Sequence, residues 1–127
     1  MRDVDRPKSL LLDRIVFEQV VGSDSQIEIL YGLLTGRKNY ISHKPGSVSF
    51  ASHREFVLNQ PYRDWRIVVR DDFVLGAIYL SFQNAIGLNF TKPSFSLTET
   101  CLEFVTSNFE PLTERSSVRA GKFHINV

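Results

Sequence analysis

The sequence predicts an α+β domain (α/β mixed) built on a central, mostly antiparallel sheet. Apolar, β-branched runs mix with segments of helical period in the order β-α-α-β-β-β-α-β. Three of these runs follow one another with only short turn signals between them, as in an antiparallel meander. The 127 residues are 43% hydrophobic and 12% aromatic, which supplies one core and one domain over 1–127.

Residues 1–8 are polar and include Pro7, so they read as a frayed lead-in. Leu10 to Val21 is the first strand, carrying Ile15, Phe17, Val20 and Val21 and ending at Gly22-Ser23-Asp24. Asp24 or Ser25 caps a helix that runs to about Thr35, with Ile27, Leu30, Tyr31 and Leu34 as its stripe. Gly36 is a plausible stop. Pro45-Gly46 marks a turn, and Ser49 opens a second helix that ends at Asn59-Gln60-Pro61.

Trp65 to Val69 and Phe73 to Phe82 form a hairpin around the Asp71-Asp72 turn. Asn84-Ala85 turns again into Ile86 to Thr91. Gly76 and Gly87 interrupt strand patterns, where glycine suggests a bulge or a close backbone approach. Ser96-Leu97-Thr98-Glu99 reads as a capping box. The helix it opens has Leu97, Cys101, Leu102, Phe104 and Val105 on its apolar side and Pro111 beyond its end. Lys122 to Val127 is the last strand, and the preceding helix can cross over to place it parallel to a neighbour.

Charge and cysteine usage exclude several classes. Fifteen Lys and Arg against fourteen Asp and Glu leave a net charge of +1, which excludes a strongly basic nucleic-acid binder. One cysteine excludes a disulfide framework and a multi-cysteine zinc site. No apolar run approaches the roughly 18 residues that span a bilayer. Met1 to Arg6 is followed by no signal-peptide core. The expectation is a cytoplasmic protein without membrane or nucleic-acid partners.

Several segments together resemble one family. They are Ile41-Ser42-His43-Lys44-Pro45, Ser52-His53-Arg54-Glu55-Phe56-Val57 and Gln60 to Val68. Leu75-Gly76-Ala77-Ile78-Tyr79-Leu80 and Asn84-Ala85-Ile86-Gly87-Leu88-Asn89-Phe90 continue the pattern, and Phe123 to Val127 is similar to a terminal strand. This set resembles the GNAT acetyltransferases over about residues 10–127, most specifically from 41 to 90. The resemblance implies acetyl-CoA as cosubstrate, no metal, and transfer of an acetyl group to a primary amine of a small molecule. The backbone of Leu88, Asn89 and Phe90 would hold the pantetheine arm, and the loop with Lys92, Ser94 and Ser96 would meet the pyrophosphate. His53 or Glu55 would act as catalytic base, and His43 and Tyr79 would lie on the acceptor side.

Two departures accompany it. Thr91-Lys92-Pro93-Ser94-Phe95-Ser96-Leu97 has no glycine where the family has a Gly-rich phosphate loop, and Pro93 lacks an N–H donor. Glu99 in a capping box would also repel an anion. The sequence stops where the family continues past its fifth strand. A truncated chain is one reading of that. Another is a degenerate binding protein that has lost CoA binding and forms a homodimer through the 122–127 edge strand.

Other candidates have plainer explanations. His43, His53 and His124 have no metal-ligand spacing and read as exposed or satisfied histidines. Cys101 falls among core positions, and Asp71-Asp72 is a turn rather than a carboxylate pair. Arg63, Arg66 and Arg70 with Tyr62 and Trp65 form a basic, aromatic-flecked patch. Core packing is an equal reading for Tyr79.

Overall fold

The computed structural model of the chain describes residues 14–36 and 48–126. The frayed lead-in, the start of the first strand at Leu10, His43, the Pro45-Gly46 turn and Val127 lie outside the described residues.

The elements in chain order are β1 (Ile15–Gln19), α1 (Asp24–Thr35), α2 (Phe50–Leu58), β2 (Asp64–Arg70), β3 (Phe73–Leu80), β4 (Ala85–Phe90), α3 (Phe95–Asn108) and β5 (His124–Ile125). The strands form one open sheet in the order β1-β2-β3-β4-β5. The first three pairings are antiparallel, and β5 lies parallel to β4 after the α3 crossover. Among the described residues no helix is long and apolar enough to cross a membrane.

Both faces of the sheet are covered, so its central strands alternate between two cores. Val68, Ile78, Leu80 and Ile86 pack with Leu97, Cys101 and Val105 of α3. Ile67 and Ala77 point the other way, onto Ile27 and Leu30 of α1 and Val57 of α2. Ile67 and Val68 are neighbours buried on opposite faces, each stabilising by about 2 kcal/mol through burial. Cys101 is a core thiol, and burial pushes its pKa up to about 12.

The turns follow their residues. Asp71 and Asp72 have φ of 51° and 70°, the left-handed pair that a tight hairpin requires. Asp71 also pairs with Arg14 at 2.7 Å across the exposed end of the sheet. One residue of β3, Leu75, is extra in the register with β2, because Val68 faces Gly76 and Val69 faces Val74. A Cβ on Gly76 at this bulge would meet the Asn89 carbonyl oxygen at 2.3 Å. β3 ends two residues before Phe82, because the Ser81 hydroxyl accepts from Gln83 N–H and Ala85 N–H and closes the turn.

Helix starts differ from the sequence expectation by one or two residues. α1 is capped by Ser23, not Asp24 or Ser25, because Gln26 completes a reciprocal capping box with Ser23. Ser49 caps α2 as expected. α3 is capped by Ser94, whose hydroxyl accepts from Leu97 N–H at 3.1 Å, and Ser96 already lies within the first turn. The expected box of Ser96 with Glu99 therefore does not form, and no acidic residue occupies the first turn of α3. Gly36 ends α1 with φ −80°, so the stop there uses no left-handed conformation.

The basic and the aromatic residues of the patch are divided. Arg66 makes a forked pair with Asp64, with contacts of 3.0 to 3.1 Å, and lies over the Phe104 ring. Its neighbour Trp65 packs on the α1–α2 side. Arg63 lies over Phe109, which packs on the same core as Phe104, and donates to the Glu110 carbonyl at 2.9 Å. Residues that sequence spacing groups together thus belong to opposite faces.

Candidate functional site

Among the described residues the α1–α2 side of the sheet is not fully closed. A cleft of about 440 Å³ remains between the two helices and the strands. Leu30, Leu33 and Leu34 line it from α1, one apolar stripe at helical spacing. Ser52, His53 and Phe56 line it from α2, where positions three apart share a face. The strands contribute Trp65, Ala77, Tyr79 and Asn89, which point the same way by the two-residue alternation of β2, β3 and β4. None of the described lining residues is Asp, Glu, Lys or Arg.

The aromatic side chains form a continuous wall. Tyr62 stacks on Tyr79 with ring centres 4.0 Å apart, and meets Trp65 edge-on at 4.9 Å. Phe56 meets both Tyr62 and Trp65 edge-on. Tyr79 lies across Gly87, its partner on β4, where an added Cβ would fall 2.0 Å from the ring. Glycine at 87 is thus the residue that lets the ring lie flat on the sheet. The Asn126 side-chain amide donates to the Tyr79 hydroxyl and fixes the other end of that ring.

His53 is 5% exposed and stands in this wall 5.3 Å from the Tyr31 ring. Burial lowers its pKa below 6.5, and a hydrogen bond to the Ile27 backbone opposes that shift. Nε2 is buried and has no hydrogen-bond partner among the described residues. Such an orphaned atom costs about 1–3 kcal/mol.

The outer edge of β4 is the second feature. Asn126 N–H donates to Ile86 C=O at 2.8 Å, and His124 N–H donates to Asn84 C=O at 3.0 Å. On the other side, Thr91 N–H donates to Leu75 C=O at 3.0 Å. The antiparallel ladder therefore turns the backbone groups of Gly87 and Asn89 toward β3, and those of Ile86, Leu88 and Phe90 outward. β5 pairs only with Ala85 and Ile86. Among the described residues no strand covers Leu88 and Phe90.

The sequence candidates separate into groups. His53 and Tyr79 share the cleft. Glu55 is exposed, two residues and so about 200° around α2 from His53, and does not line the cleft. Leu88 and Phe90 pack their side chains toward the α3 core and present only backbone at the edge. Asn89 does the reverse, with its side chain in the cleft and its Nδ2 donating to Leu33 C=O at 3.5 Å. Lys92 and Ser94 are exposed, Ser96 is half-buried, and none of the three lines the cleft. His124 is exposed on β5. Phe56, Tyr62, Trp65 and Ser52 were not among the sequence-derived site residues. The spacing of His53 with Phe56, and the alternation of Trp65, Tyr79 and Asn89, are the signals that group them.

No protein-family model matches the chain, and no curated protein matches it at a significant level.

Proposed function

We propose that the chain is a GNAT-like N-acyltransferase that moves an acetyl group from acetyl-CoA to a primary amine of a small molecule. One observation carries this reading: the uncovered backbone of Leu88 and Phe90 adjoins the His53 cleft along the same strand, with Asn89 between them. An open strand edge can pair with the amide groups of an extended pantetheine arm. The cleft would hold the amine beside it. Acetyl-CoA supplies an activated thioester carbonyl. The amine nitrogen attacks that carbon, the C–N bond forms, the C–S bond breaks, and CoA leaves as the thiolate. His53 is the group assigned to receive the amine's proton, because it lines the cleft and burial favours its neutral form. Glu55 is too far around α2 to share that role. We place the reaction in the cytoplasm.

A specific observation favours a second reading, a binding protein of the same fold that no longer takes CoA and pairs through its sheet edge. The β4–α3 connection is residues 91–94, without glycine, and the Ser94 hydroxyl already occupies Leu97 N–H. The repulsion expected from Glu99 is no part of this argument, since the first turn of α3 is free of acidic residues.

Calorimetric titration with acetyl-CoA separates the two. The acyltransferase reading expects binding tighter than about 100 μM, about −5.5 kcal/mol, and release of free CoA thiol when an amine is added. No heat at millimolar acetyl-CoA, together with a dimeric solution mass, would overturn it in favour of the second.

A further inference from the structure

The walls of the cleft restrict its occupant. Its volume of about 440 Å³ is that of a small-molecule site. Phe56, Tyr62, Trp65 and Tyr79 meet one another edge-on or stacked, and a further ring entering the cleft gains contacts of the same kind. Leu33 and Leu34 add apolar surface from α1. None of the described lining residues carries a carboxylate. An ammonium drawn into these surroundings loses water and gains no counter-ion, and aromatic faces return less than that loss. The chemistry of the acceptor follows. An alkylamine at neutral pH is almost wholly ammonium, like a lysine side chain, and its nitrogen then has no lone pair for attack. A nitrogen bonded directly to an aromatic ring shares its lone pair with the ring and is uncharged at neutral pH.

We propose that the cleft takes aromatic molecules in uncharged form, and that the acceptor of the acetyl group is an arylamine rather than an alkylammonium. The arylamine nitrogen forms the C–N bond, the thioester C–S bond breaks, CoA leaves as the thiolate, and the nitrogen gives up one proton. The acceptor assignment rests on the acyltransferase reading. The binding preference does not, and its test contains no acetyl-CoA, so the two fail separately.

Trp65 is the single tryptophan of the chain and lines the cleft, so its one indole N–H resonance follows occupancy by NMR. The probes are 4-methylaniline and benzylamine, isomers of which only the second is charged at neutral pH, and benzyl alcohol, the uncharged counterpart of benzylamine. Each uncharged probe is expected to bind about tenfold or more tightly than benzylamine. Ala77 lines the cleft from β3, and Ala77→Leu should weaken both uncharged probes by filling space there. If that variant does not fold, the wild-type amide resonances of Ala77, Tyr79 and Asn89 decide, moving with the uncharged probes. Equal affinities, a preference for benzylamine, no saturable shift, unchanged binding in folded Ala77→Leu, or unmoved amides would each overturn the binding preference. With acetyl-CoA added, a higher kcat/KM for benzylamine than for 4-methylaniline would overturn the arylamine assignment. No binding of acetyl-CoA would overturn the acyltransferase reading, and the arylamine assignment with it, while the binding preference stands.

Discussion

Asn84 and His53 both carry polar groups into the interior, and the fold treats them in opposite ways. Asn84 is 0% exposed, yet every side-chain polar atom is used. Its Nδ2 donates to the carbonyls of Leu112 and Ala120 at 2.9 and 2.8 Å, and its Oδ1 accepts from Leu112 N–H at 2.8 Å. It ties the segment after α3 to the β3–β4 turn, and so places β5. Gln26 is similar, donating to Glu18 and the Gln19 carbonyl while accepting from Val21 N–H and Gly22 N–H. Among the buried polar residues described, His53 alone keeps a buried polar atom without a partner. Satisfied buried polar groups specify structure, whereas an orphaned one carries a standing cost to stability.

The largest expected effect is on the structural side of this comparison. Asn84→Ala removes three hydrogen bonds and puts alanine at φ 66°. It should destabilise the chain by about 3 kcal/mol or more in urea unfolding. A loss under about 1 kcal/mol would mean that the Asn84 hub does not anchor the C-terminal segment.

His53→Phe should behave differently, changing stability by no more than about 1 kcal/mol, because it replaces an unsatisfied ring with an apolar one of similar shape. The pH dependence sharpens the point. The folded pKa of His53 lies below 6.5. Above that pH the residue is neutral in both the folded and the unfolded chain. As the pH falls through it, the unfolded chain takes the proton first, so the wild type loses stability toward the folded pKa. The difference between wild type and His53→Phe should therefore shift against the wild type below about pH 6.5. A parallel pair of curves would contradict the burial argument.

Much of the fold was legible because its signals are local. The Asp71-Asp72 turn, the Ser49 cap, the α3 stripe and the order of elements rest on neighbouring residues. The misplaced caps show the limit of that reading. Ser94 and Ser96 are chemically alike, and the Glu at 99 favoured Ser96, but the helix begins where the chain leaves β4. Three of the residues that line the cleft, His53, Tyr79 and Asn89, are among the sequence candidates. The rest was not, because the cleft is made by long-range packing. Trp65 and Tyr62 read as company for the arginines beside them in sequence, whereas strand alternation sends Trp65 to the other face from Arg66. The role of Asn84 as a hub was hidden for the same reason, since its partners lie 28 and 36 residues away.

The most direct measurement is amide NMR of the wild-type chain during titration with acetyl-CoA. Binding along the uncovered β4 edge predicts that the Leu88 and Phe90 N–H resonances move most in that strand, while those of Gly87 and Asn89, bonded to β3, move little. Saturable binding that leaves Leu88 and Phe90 unmoved, or no binding at millimolar acetyl-CoA, would contradict the acyltransferase account.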